Sequence, residues 1–248
     1  AVTETFTLSY DNVRLYGGFD PSSGVDTWEE RDWETYPTVL SGDIAQDDIT
    51  DPKGVVTTTV HISGTNVYHV LWLDGVSNEP ISTTTVIDGF TITAGQANGT
   101  APPHYSGGGL TCDGSGIGNA CSPTLAHLAF SGNYAQASNN QYNGVGGGMY
   151  NNAGNGGTSS PALTDVTFSG NWGSSGGGMY NYGGDNGISN PTLTHVTFSD
   201  NQAGNGYGGG MVNAGISGTS SPVLSDVTFI DNYAATDGGG MVDGGYYD

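Results

Sequence analysis

Basic residues are nearly missing from this chain. Arg14, Arg31 and Lys53 are the only Lys and Arg, against 24 acids in 248 residues, and the formal net charge is −21 at pH 7. Nucleic acid is excluded as a partner, because phosphate binding relies on clustered cations. An anionic membrane surface is disfavoured for the same reason. Long apolar runs are missing too: no 18-residue stretch could span a bilayer, so direct membrane insertion is not expected. The opening AVTETFTL lacks a basic segment followed by an apolar one and does not read as a signal peptide; a mature chain freed of its leader, or a fragment, would start the same way. With hydrophobics at 35%, 44 glycines and ten prolines, little material remains for long helices. The glycines follow no three-residue period, which excludes collagen.

Cysteine is scarce as well. Cys112 and Cys121 flank the Gly-rich stretch DGSGIGNA. Without a CxxC or a cluster of histidines beside them, a metal pair is disfavoured. The expectation is a disulfide closing a short loop, and with it a secreted or cell-surface location. The acidic surplus keeps a β-rich protein in solution and draws cations.

What the chain does have is a repeat. GGG followed by Leu or Met occurs at 107–110, 146–149, 176–179, 208–211 and 238–241. Between the copies lie SPTLAHLAFSGN, SPALTDVTFSGN, NPTLTHVTFSDN and SPVLSDVTFIDN, beginning at Ser122, Ser160, Asn190 and Ser221. A period of about 30 residues means one supersecondary unit stacked on copies of itself. Aligned, the blocks give apolar columns: Leu125, Leu163, Leu193 and Leu224; Leu128, Val166, Val196 and Val227; Phe130, Phe168, Phe198 and Phe229. The glycine motif adds Leu110, Met149, Met179, Met211 and Met241.

The alternation in VTF is that of a half-buried strand. Three short strands per unit are expected, from the PxL, VTF and GGGMYN pieces. Asn133, Asn171, Asn201 and Asn232 close the VTF strand, and Asn151, Asn181 and Asn213 close the MY or MV strand. Stacked asparagines would form internal amide ladders. The fold class is therefore all-β, a single-stranded right-handed parallel β-helix with about 30 residues per coil in the C-terminal part. One coil alone cannot offset the entropy of its own ordering, so only stacking makes it viable. Residues 1–105 carry similar strands less regularly (NVRLYGGF, PTVLSGDI, VYHVLWLDG, TTTVIDGFTITAG) around an acidic excursion, and 106–248 carry the regular repeats. No linker-like stretch separates them, so one domain over 1–248 is expected.

These blocks resemble the repeats of bacterial surface proteins with right-handed parallel β-helices. The resemblance is to polymorphic outer-membrane protein repeats, which pair a Gly-Gly-aliphatic element (here Gly147-Gly148-Met149) with a Phe-x-x-Asn element (here Phe168-Ser169-Gly170-Asn171). Gly and Met stand where that family prefers Ala and Ile. The opening VRLYGGFD…TVLSGDI…VIDGFTITAG is similar to the start of secreted β-helix proteins of pectate-lyase-like fold. The resemblance implies fold and export, and leaves activity open.

Several side-chain groups are candidate sites. Asp43, Asp47, Asp48 and Asp51 place four carboxylates in nine residues, the oxygen donors that Ca²⁺ needs, although the Gly and terminal Glu of an EF-hand are missing. His127, Asp165, His195 and Asp226 share one place in the repeat. They read as an ordinary cross-strand charge pairing in preference to a pH-sensitive strip or a transition-metal ladder. Thr167, Thr197 and Thr228 form an outward row too thin for an ice-binding surface, and Tyr150, Tyr180, Val212 and Val242 form another outward column. Trp28, Trp33, Trp72 and Trp172 could stack on sugars or fill the solenoid.

Catalysis by the repeats is not expected. They contain no Arg or Lys base, Glu is absent after Glu79, and Asp165 and Asp226 recur as part of the repeat, not as a positioned pair. The last unit, GGGMVDGGYYD, is followed by no capping element. Either the protein continues or that end docks on another molecule, and head-to-tail docking would build a filament. The expected function is a non-enzymatic extracellular structural or adhesive solenoid. Its partners would be copies of itself, or a glycan or cell surface, with Ca²⁺ as the one expected ion. The alternative is a carbohydrate-active β-helix.

Overall fold

A computed structural model of the chain describes residues 2, 5–136 and 144–244. Among these the regular structure is all β apart from two three-residue 3₁₀ turns. Every strand pairing is parallel, and the strands form three sheets. One sheet has seven strands, running Phe6–Leu8, Leu71–Asp74, Leu110–Asp113, Met149–Asn152, Met179–Tyr182, Met211–Ala214 and Met241–Asp243. The largest has ten, built around Ala162–Ser169 and Thr192–Ser199. The smallest stacks five two-residue strands, Gln96–Ala97, Tyr134–Ala135, Trp172–Gly173, Gln202–Ala203 and Tyr233–Ala234. From Leu110 onward, each repeat adds one layer to every sheet.

Register follows the repeat. Leu163 pairs with Leu193, Val166 with Val196, Phe168 with Phe198 and Met179 with Met211. The Leu, Val, Phe and Met columns merge into one buried core with Leu71, Leu73, Ile87 and Ile92 from the first hundred residues. Phe130, Phe168, Phe198 and Phe229 stack with centroids 4.7, 4.8 and 5.0 Å apart and ring planes within 7° of parallel. That interval matches the spacing of neighbouring strands, about 4.7–4.9 Å, so the rings ride on the ladder.

The GGG motif has a positional cause. Its first glycine takes a left-handed φ in all five copies, 69°, 64°, 60°, 61° and 67°. Its third lies against the Phe of its own layer and the carbonyl of the next: a Cβ on Gly178 would come within 2.6 Å of Gly210 O and 2.8 Å of Phe198 Cδ1. No larger residue fits there.

The three expected pieces are distributed differently among the sheets. In the second and third full repeats PxL and VTF form one eight-residue strand in one sheet, not two. Between the halves, Asp165 and His195 adopt φ of 54° and 53°, and both halves still pair with the same neighbour. The corner comes after the asparagine instead, where a two-residue strand enters the small sheet. The column of Tyr150, Tyr180 and Val212 is not simply outward. Tyr180 and Val212 are buried in a second apolar cluster with Ala214, packed by Tyr150, Tyr182, Tyr207 and Ile216. Val145, Tyr207 and Ile216 lie in connections between strands, and these cover that face of the seven-stranded sheet. Gly245–Asp248, the end of the last unit, lie outside the described residues.

Candidate functional site

The position between the PxL and VTF halves is left-handed in five successive layers: Gly89 (φ 81°), His127 (49°), Asp165 (54°), His195 (53°) and Asp226 (54°). Bulky residues adopt this conformation rarely. Here it turns each side chain out of the sheet along one line. His127 Nδ1 lies 2.9 Å from Asp88 Oδ1 and His127 Nε2 lies 3.7 Å from Asp165 Oδ2. His195 Nδ1 lies 3.3 Å from Asp165 Oδ1, and its Nε2 lies 3.5 Å from Asp226 Oδ2. The stacking expected from the repeat is present, and exposure grows along it, from 27% of the His127 side chain to 71% of Asp226.

At its inner end the column meets residues from the acidic excursion. Arg31, almost fully buried, bonds the Asp88 carboxylate and the Gly17 carbonyl. Its guanidinium also lies 4.9 Å from the Trp33 ring centroid and 5.3 Å from that of Trp28. Trp33 in turn lies over the His127 ring, centroid to centroid 3.9 Å. These contacts seat the excursion against the sheet and leave a cleft of about 230 Å³ lined by Trp33, Glu34, Thr91, His127, Asp165 and Thr167. A second cleft of about 380 Å³ lies between Thr58, Tyr134, Trp172, Asp200 and Gln202, with Tyr134 and Trp172 stacked at 4.9 Å. Of the other tryptophans, Trp28 packs edge-on against Tyr16 and Trp72 against His69.

The acidic loop gathers three of its four aspartates. Carboxylate oxygens of Asp43, Asp47 and Asp48 lie within 4.8 Å of one another, so these residues could hold a cation such as Ca²⁺. Part of their capacity serves the loop itself. Asp43 accepts the N–H groups of Gln46 (2.7 Å) and Asp48 (3.1 Å), and Asp48 accepts from Ser63 N and Asn66 Nδ2. Burial raises the Asp48 pKa; its hydrogen bonds to Ser63 and Asn66 oppose this, and the charges of Asp43 and Asp47 add to it. A cation would relieve that repulsion. Asp51 is not in the group; its Oδ1 accepts from Lys53 N and Val55 N at 2.8 and 2.9 Å.

The remaining expected positions are structural. Cys112 and Cys121 form a disulfide with Cα atoms 5.6 Å apart. Asn133, Asn171, Asn201 and Asn232 bond one another in sequence, each amide donating to the next Oδ1 at 2.9–3.0 Å. Asn151, Asn181 and Asn213 form a second ladder at 2.7–2.8 Å. One cluster carried no sequence signal: His69, Trp72 and His104 pack together with His69 Nε2, Trp72 Nε1 and His104 Nδ1 buried and unpaired. Burial lowers the His69 pKa to about 4, and the neighbouring His104 adds to the effect.

Comparison with models of protein families, with curated proteins and with solved structures finds no match to this chain.

Proposed function

We propose that the chain is a right-handed parallel β-solenoid, one domain over 1–248, of the bacterial surface-protein type that its repeats resemble. It works outside the cell as a structural or adhesive module, not as an enzyme. The observation that carries this reading is how the repeated polar residues are used. Asn133, Asn171 and Asn201, buried in every layer, are spent on bonding the next layer, at one register throughout. Residues spent on stacking are those of a scaffold whose repeated faces do the work. The Cys112–Cys121 disulfide fits an exporting compartment. The dominance of acids favours Ca²⁺ at Asp43, Asp47 and Asp48.

In the last described layer the column residues Leu224 and Met241 are exposed, and Val227 and Phe229 are only partly buried. They form the seat on which a further layer of the same pattern, from a continuing chain or from another copy, would stack. End-to-end assembly into a surface filament uses that seat.

The second reading, a carbohydrate-active module, is favoured by the cleft that brings Trp33 beside Glu34, His127 and Asp165. An aromatic face with hydrogen-bonding groups around it is the usual form of a sugar subsite. Negative-stain electron microscopy across a concentration series, paired with co-sedimentation on acidic and neutral polysaccharides, separates the two. Rods lengthening with concentration, or attachment to cell surfaces without glycan turnover, support the scaffold. Isolated particles that shorten a polysaccharide would overturn it.

A further inference from the structure

The His–Asp column is spaced more widely than a hydrogen-bonded ladder. The three gaps His127 Nε2–Asp165 Oδ2, Asp165 Oδ1–His195 Nδ1 and His195 Nε2–Asp226 Oδ2 measure 3.7, 3.3 and 3.5 Å. Each exceeds the usual N–H···O length of about 2.7–3.2 Å. The 3.3 and 3.5 Å gaps match another distance, and the 3.7 Å gap lies slightly beyond it. Two donors bound tetrahedrally to one ion, with metal–nitrogen and metal–oxygen bonds of about 2.0–2.2 Å, lie about 3.3–3.5 Å apart.

The residue choice points the same way. A left-handed backbone asks only for Gly, Asn or Asp, and a second left-handed position in the repeats, after the VTF half, holds Gly132, Gly170, Asp200 and Asp231. Backbone geometry does not call for histidine in alternate layers. A row of nitrogen and carboxylate ligands does.

The first histidine is also prepared as a ligand. His127 Nδ1 lies 2.9 Å from Asp88 Oδ1, and Arg31 fixes Asp88 from its other side. A carboxylate at Nδ1 sets the tautomer with the proton there, so Nε2 carries the free lone pair, in the carboxylate–histidine–metal arrangement. That lone pair faces Asp165 beside the Trp33 cleft, where there is room for waters to complete the coordination shell.

We propose that this column binds divalent transition-metal ions of the Zn²⁺ class. The first is held by His127 Nε2 and Asp165 Oδ2, and a second by Asp165 Oδ1 and His195 Nδ1. Asp88 and Arg31 act as positioning residues. The mixed nitrogen and oxygen donors separate this site from the all-oxygen Asp43–Asp48 loop, which suits Ca²⁺.

The test is calorimetric titration of the full chain with Zn²⁺ in millimolar Ca²⁺, together with the visible absorption of added Co²⁺. His127→Asn and Asp165→Asn keep a residue that tolerates the left-handed backbone, and thermal melts report whether each variant folds. Asp165→Asn, which removes a donor from both ions, should weaken Zn²⁺ by at least about tenfold and abolish the tetrahedral Co²⁺ band, whereas His127→Asn should lose one of the two ions and about half of that band. Asp47→Asn should leave both unchanged. Asp88→Asn should weaken Zn²⁺ by about 10–100-fold with the two ligands intact. Absence of Zn²⁺ binding, or binding that folded His127→Asn and Asp165→Asn retain in full, would overturn the assignment.

Discussion

Asn171 Oδ1 accepts two hydrogen bonds from Asn133, one from its backbone N–H and one from its side-chain amide, each at 3.0 Å. The Asn171 amide passes the pattern on, donating to Phe130 O and to Asn201 Oδ1 at 2.9 Å. Each asparagine therefore bonds two layers at once. Asn171→Ala should cost on the order of 3–6 kcal/mol, because it strands several buried partners at about 1–3 kcal/mol each. Denaturant unfolding of the variant checks this; a loss below about 1 kcal/mol would show that the ladder is incidental.

The phenylalanine stack gives an independent stability test. Phe168 is fully buried between two parallel rings 4.7 and 4.8 Å away. Phe168→Ala should cost about 3–5 kcal/mol, and Phe168→Leu clearly less. Phe229, part-buried in the last described layer, should be more forgiving under the same measurement.

Much of this was legible in the sequence, and the reason is physical. Stacking converts a repeat in sequence into a column in space, so Leu163 over Leu193 or Asn171 over Asn201 follows from alignment alone. The Cys112–Cys121 pair was legible because its members lie only nine positions apart. What escaped lies where no repeat imposes a column. Arg31 reaches Asp88 across 57 residues, and Trp33 reaches His127 from an excursion without periodicity. Asp51 looks like a member of the acidic group but its carboxylate caps its own turn, a choice made by local backbone geometry. Tyr180 alternates outward as expected, yet the connections between strands bury it.

His69 makes the fold sensitive to acid. Its pKa falls from 6.5 to about 4 on burial, so the unfolded chain binds the proton more readily than the folded one. Its stabilising share is intact above pH 6.5 and is lost as pH falls toward about 4, on the order of 3 kcal/mol in all. Denaturant midpoints measured across that window should drop for the native chain and flatten for His69→Gln.

The acidic loop should respond to Ca²⁺ in the opposite sense to a chelator. Ca²⁺ at a hundredfold excess over Kd adds about 2.7 kcal/mol to a protein that binds it only when folded. Thermal melts should rise with Ca²⁺ and return with chelator, and Asp48→Asn should remove the response. An unchanged melting temperature would reduce Asp43, Asp47 and Asp48 to a self-bonded turn.

In-register stacking of the layers underlies every other expectation, and spin labels test it directly. Thr167 and Thr197 are register partners in adjacent layers. With both cysteines held in the disulfide, new cysteines at these two positions label selectively. Labels on strands about 4.8 Å apart should show strong spin–spin broadening in the double variant and none in either single variant. A double-variant spectrum equal to the sum of the singles would contradict the stacked layers.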